Sequence, residues 1–162
     1  MEIRKRKKKR KLKKILSSYK EVNKTTGKIQ QKETKIELYI KKMLEKNNIS
    51  YIQEKAVAFG RYKKKYDFLC YDEDQKFYFF IEADGSFWHA RDFHDKKKPW
   101  SKLAAVQKKN VRNDKLKDAI AEKLKVPLLR FWEEDIKFAP IKVEKMIIDE
   151  VTRQVALKNP QA

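Results

Sequence analysis

The 162-residue chain holds a single cysteine, Cys70, and only two histidines, His89 and His94. One cysteine excludes an intrachain disulfide and any multi-cysteine metal centre, and it suits a reducing compartment. No stretch approaches the ~20 continuous apolar residues of a membrane span. The N-terminus lacks the apolar core of a secretion signal, so the expectation is a cytoplasmic protein that neither enters a membrane nor is secreted. No internal repeat is present. What the chain does have is positive charge. Lys and Arg number 42 against 23 Asp and Glu, a formal charge of +19. That excess goes beyond the needs of solubility and implies a polyanionic partner, nucleic acid before an anionic membrane surface.

The length fits one domain with a proper core. Residues 1–33 form a basic arm, almost unbroken Lys and Arg from Arg4 to Lys14. Such a block repels itself and is expected to stay unfolded until it meets phosphate, either as a DNA-gripping arm or as a plain solvated tail. From Thr34 to Asn47, Ile36, Tyr39, Ile40, Met43 and Leu44 recur at helical spacing, with Thr34 as N-cap. Strands are predicted over 49–59, 63–71 and 76–81, the last two forming a hairpin that aligns Asp67 with the later part of the third strand. A long loop runs from Gly85 to Pro99, a helix from Trp100 to Lys125, a buried strand from Leu128 to Trp132, and a final helix follows Pro140. The predicted class is α/β, in the order α-β-β-β-α-β-α, a mixed sheet flanked by helices. Residues 34–136 form the core, and 137–162 a C-terminal helix and tail.

The stretch from Ile81 to His89 carries the chemistry. Glu82 and Asp84 lie two apart at the end of an apolar strand, so both point to one face. Gly85 lets the chain turn, and His89 follows five residues after Asp84. Asp67 stands inside the apolar run Tyr66 to Cys70, where an unpaired charge costs several kcal/mol (roughly) unless it gains a partner or a metal. Lys63 to Lys65 could pair with it. Three carboxylates converging from neighbouring strands repel one another, and a divalent cation relieves that most simply. Hard oxygen ligands suit Mg2+, with Mn2+ able to substitute. In so basic a chain the cargo of such a cation is a phosphodiester, which points to a nuclease acting on double-stranded DNA.

These residues resemble the PD-(D/E)XK nuclease superfamily, in its very-short-patch repair branch and the related phage EDxHD homing endonucleases. The resemblance spans roughly Thr34 to Ile136. It rests on the helix bearing Glu37, on Tyr66-Asp67-Phe68, on the run from Asp84 to His89 and on Trp100 to Leu103. It continues through Asn110-Val111-Arg112-Asn113-Asp114 and Leu128 to Glu133. Asp84 stands where the wider superfamily has lysine. The resemblance implies a PD-(D/E)XK core, Asp67 and Asp84 as metal ligands, and Glu82 and Glu37 as supports for the metal or water. By the same analogy the Ala83 carbonyl is a further ligand. It makes His89 a catalytic group, able as a neutral imidazole to take a proton from the attacking water. His94 is a weaker candidate for the same role. Without the resemblance, Glu37 would pass for an ordinary first-turn glutamate, and His89 for a satisfied structural histidine.

Phe87, Trp88 and Trp100 are either packing aromatics or, as the resemblance implies, wedges that enter the base stack. Leu103, Gln107, Asn110 and Asp114 form one stripe, a partly polar lane turned towards the catalytic cleft. The resemblance singles out Asn110 and Asp114 on that stripe as residues expected near DNA, and Lys96, Lys97 and Lys98 offer phosphate contacts. The repair enzymes' structural zinc is not expected, because its cysteines are missing. That absence and the basic arm favour a phage-type homing endonuclease over a mismatch-directed nicking enzyme. A non-catalytic DNA-binding protein on a nuclease scaffold is the third reading. One such site cuts one strand, so a double-strand break takes two successive events or two chains, as in a homodimer on DNA.

Overall fold

The computed structural model describes residues 34–72 and 77–158, and the side chains of all of these except 77 and 78. The basic arm and most of the turn before the third strand therefore lie outside the described residues. Helix α1 (Lys35–Lys46) starts as its sequence dictates: Thr34 and Glu37 exchange side chain–backbone hydrogen bonds in a capping box. Strands β1 (Tyr51–Phe59), β2 (Tyr62–Tyr71) and β3 (Phe77–Asp84) follow. Then come the single turn α2 (Arg91–His94), a 3-10 turn at Trp100–Lys102, the long α3 (Ala105–Leu124), β4 (Leu128–Trp132), α4 (Glu133–Phe138) and α5 (Pro140–Lys158). Among the described residues no helix is long and apolar enough to cross a membrane.

The four strands form one mixed sheet in the order β1-β2-β3-β4, antiparallel except for the parallel pair β3–β4. Helices cover both faces. Phe79, Ile81 and Ala83 of β3 join Phe68, Cys70 and Phe131 against α1, α4 and α5. Phe80 joins Tyr66, Leu69 and Val57 against Ile120 and Ala121 of α3. Tyr66 and Phe80 stack 4.1 Å apart, and the Tyr66 hydroxyl donates to the Lys117 carbonyl. That contact fixes α3 lengthwise against the sheet.

Several boundaries differ from the sequence reading. The third strand runs on to Asp84 rather than stopping at Ile81, because β4 continues to pair it at Glu82, Ala83 and Asp84. The helix expected from Trp100 begins at Ala105, where the Gln107 side chain accepts from the Ala104 N–H. The 85–99 loop contains α2, and α4 intervenes before the last helix; neither was legible as a separate element. The alternation of β2 also breaks. Tyr66 packs on the α3 side and Phe68 on the α1 side, although strict period two would put both on one face. The break falls at Asp67, opposite Glu54, whose left-handed backbone (φ 50°) drops out of the β1–β2 ladder.

Phe80 has no solvent exposure and bridges the β3 backbone to α3. Phe80→Ala should cost about 3–5 kcal/mol in urea unfolding, since the space it leaves is walled by a stacked ring and a helix.

Candidate active site

The β2–β3 ladder ends at the pair Phe68↔Ile81. Beyond it, side chains replace backbone partners. The Asp67 carboxylate accepts the Ala83 N–H at 2.7 Å, and the Glu82 carboxylate accepts the Asp67 N–H at 3.3 Å. This reciprocal pair explains why acids occupy strand positions that would otherwise be apolar: each satisfies a buried donor that the splayed strands leave behind.

Asp67 is held in this way with a pKa pushed up to about 6. Burial raises it most, the charges of Glu37 and Asp84 raise it further, and the Ala83 N–H and Lys117 act against them. Glu37, Asp67 and Asp84 are thus within electrostatic reach of one another, the first from α1 and the others from adjacent strands. Glu82 is buried, and burial followed by the Asp67 charge drives its pKa well above the usual carboxylate range. Lys117, reaching in from α3, opposes that shift with a hydrogen bond of 2.5 Å.

Asp84 is 2% exposed. Its Oδ2 accepts from the Arg130 guanidinium at 2.7 Å, and its Oδ1 lies 3.4 Å from His89 Nδ1. His89 Nδ1 makes its hydrogen bond at 2.8 Å to Asp114 Oδ2. Burial works to lower the His89 pKa, but the Asp114 hydrogen bond and the charges of Asp84 and Asp114 prevail and raise it. Arg130 ties the group together, since its Nη2 also approaches Asp114 at 3.6 Å and its Nε donates to Asp118 at 2.9 Å.

Asp84, His89 and Asp114 can hold a metal ion: one ligand atom from each lies within 4.8 Å of the others. Only Asp84 of this group belongs to the set Asp67, Asp84, Glu82 and Ala83 named from sequence. A donor set containing imidazole favours softer divalent ions than an all-oxygen one. Asp84 Oδ1 is the one fully buried side-chain polar atom without a hydrogen-bond partner among the described residues. A buried carboxylate oxygen in that condition fits a cation ligand.

The residues expected to meet DNA divide into two groups. Phe87 and Trp88 are exposed (61% and 56%), edge to face at 5.2 Å. Their carbonyls accept from the Gln107 and Asn110 amides of α3, so the exposed rings stand on a pinned backbone. Lys96 and Lys97 are exposed and Lys98 half-buried. Trp100 is half-buried against Phe93, with Arg112 over its ring, which makes it a wall of the loop. Asp114 corrects the sequence reading. It is buried against His89 and Arg130 rather than turned towards a DNA surface, because only there is its charge matched. His94 is exposed, its ring against Phe93 and Trp132.

Sequence reasoning missed Lys117 and Arg130. Arg130 had one available signal, a charged residue at the centre of the apolar strand Leu128–Trp132, the same anomaly that singled out Asp67. Lys117 had none, being one of many lysines on a helix.

Arg130→Met leaves Asp84 and Asp114 buried without their cation. It should destabilise the protein by about 3–5 kcal/mol at neutral pH in urea titrations, and added Mn2+ should raise the melting midpoint of the variant more than that of the unaltered chain. Comparison with protein-family models, curated proteins and solved structures gives no match for this chain.

Proposed function

We propose that the chain is a divalent-metal-dependent DNA endonuclease of the PD-(D/E)XK type, hydrolysing phosphodiester bonds, and specifically a phage-type site-specific homing enzyme. The observation that carries this reading is the gathering of Asp67, Glu82 and Asp84, with Glu37 in electrostatic reach, beside a half-buried His89 paired with Asp114, in a chain of formal charge +19. Buried carboxylates at a sheet end, two of them (Asp67 and Glu82) with raised pKa, next to an oriented imidazole, are the groups a metal-assisted hydrolysis requires.

Asp67 and Asp84 would hold Mg2+ or Mn2+, with the Ala83 carbonyl and Glu82 beside them; the partnerless Asp84 Oδ1 fits that role. When bound, the ion supplies a lowered water pKa and neutralises charge on the phosphate. The protein does the rest. The Ala83 N–H fixes the Asp67 carboxylate, and Arg130 fixes that of Asp84. Lys117 balances Glu82, so the carboxylates can remain together. His89, donating from Nδ1 to Asp114, keeps Nε2 as the proton acceptor, and Asp114 holds the ring in that tautomer. Phe87 and Trp88 would press on the base stack, and Lys96, Lys97 and Lys98 would meet phosphate.

The exposure of Phe87 and Trp88 favours one alternative, a mismatch-directed nicking enzyme. Faster cutting of a mismatched duplex than of its matched counterpart would select it. Plasmid nicking that needs Mg2+ and stops with a chelator tests both enzymatic readings against a purely DNA-binding protein.

Asp67→Ala should abolish nicking while leaving DNA affinity largely intact, because affinity comes mainly from cations set against phosphate. Unaltered cutting by the folded variant would remove Asp67 from the site. His89→Ala should slow single-turnover cleavage by about two to four orders of magnitude, and Asp114→Asn should slow it less. Rates equal to those of the unaltered chain in both variants would make the pair structural only.

A further inference from the structure

The β1–β2 hairpin outruns the rest of the sheet. β2 stops pairing with β3 at Phe68, yet it pairs with β1 as far as Phe59↔Tyr62. From Tyr62 to Lys65 the edge of β2 on the β3 side has no ladder partner among the described residues. This overhang is closed by a two-residue turn in which Gly60 takes φ 59° and Arg61 stacks its guanidinium on Tyr62 at 5.1 Å.

Its charge is one-sided. Residues 55–66 contain five cations, Lys55, Arg61, Lys63, Lys64 and Lys65, and no carboxylate; Glu54, just before them on β1, pairs with Lys65 at 3.4 Å. Residues 96–113, leading into α3 and along its first half, contain seven cations and again no carboxylate. Lys64 joins the two by donating to Asn113 of α3 at 2.8 Å, while Arg61, Lys63 and Lys65 line the hairpin. The α4–α5 segment is mixed in sign: residues 133–150 include Glu133, Glu134, Asp135, Glu144, Asp149 and Glu150 among their lysines. The excess positive charge of the folded part is therefore concentrated on the hairpin and α3 rather than spread over the molecule.

Spacing adds a second argument. Lys63 and Lys65 lie on one side of a strand, the side opposite Lys64 and α3, about 6.6 Å apart at ~3.3 Å per residue. That is close to two nucleotide rises of ~3.4 Å each along a DNA strand. Lys63 stands about 13 Å from Asp67 by the same measure, or roughly four nucleotide rises.

We infer that the overhanging hairpin, Arg61 to Lys65, is a phosphate-binding arm that grips the backbone of duplex DNA two to four base pairs (roughly) to one side of the bond placed at Asp67. The inference rests on the endonuclease reading for its choice of duplex DNA, but not for its test. Binding of the full chain to a duplex is titrated across salt concentrations with no divalent cation added, so the result does not depend on cleavage. Arg61→Gln/Lys63→Gln should reduce the log–log salt slope by about 2, at ~0.9 for each phosphate no longer neutralised. Lys142→Gln/Lys145→Gln, which removes the same charge from α5, should change it little. The charge-keeping Arg61→Lys/Lys63→Arg protein should retain the original slope. Equal slopes for the two Gln pairs would overturn the proposal. So would a hairpin pair that weakens binding to vesicles of anionic lipid while leaving duplex binding unchanged. If the hairpin effect appears but the unaltered chain never nicks DNA with Mg2+, the arm stands and the catalytic reading falls.

Discussion

Charge is buried at the end of β3, and the surrounding elements are arranged to match it. Glu82, Asp84 and Asp114 are all nearly inaccessible to water, and Asp67 beside them is half-buried. Ionised groups removed from water cost several kcal/mol each (roughly) unless they find opposite charge and hydrogen bonds. Lys117 comes from α3 and Arg130 from β4, so the α3–β4 crossover is held to the sheet by electrostatics as well as by the Tyr66–Phe80 stack. Removing either cation would leave carboxylates that cannot easily ionise together. The same conflict makes the site receptive to an added cation.

Local patterns in the sequence carried the architecture well. Helical spacing and Thr34 as N-cap placed α1, and apolar runs placed all four strands. The mixed four-stranded sheet between helices has the α/β form expected. Boundaries failed where a partner distant in sequence decides them: β3 reaches Asp84 because β4 is there to pair it, and the long helix yields its first turn to a 3-10 segment around Trp100. The irregularity at Asp67 depends on the left-handed backbone of Glu54, a non-glycine residue that gives no warning of it.

At the site, legibility followed the same division. Asp67, Glu82 and Asp84 were visible because polar residues interrupt or end apolar runs, and His89 through its spacing from Asp84 and the resemblance. Their partners were not, since Lys117 lies 35 residues from Glu82 and Arg130 lies 46 from Asp84. Asp114 was picked out for its place on a helix stripe turned towards the cleft, yet the stripe does not say which groups it meets there. The structure turns Gln107 and Asn110 to the backbone of the aromatic loop and Asp114 to His89. One stripe therefore sets both the exposed rings and the orientation of the imidazole.

The parallel register of β3 and β4 places Glu82 beside Arg130, with both side chains on the α3 face. Side chains alternate along a strand, so a change of one residue in the short connection between α3 and β4 would turn Arg130 to the α1 face and bring Leu129 or Phe131 against the carboxylates. The lengths of α3 and of the 125–127 connection are accordingly fixed to the residue by electrostatics, whatever their composition. Related chains should accumulate insertions in the connection after Tyr71 and at the C-terminus, and keep the interval from Glu82 to Arg130 constant even where little else in the sequence survives.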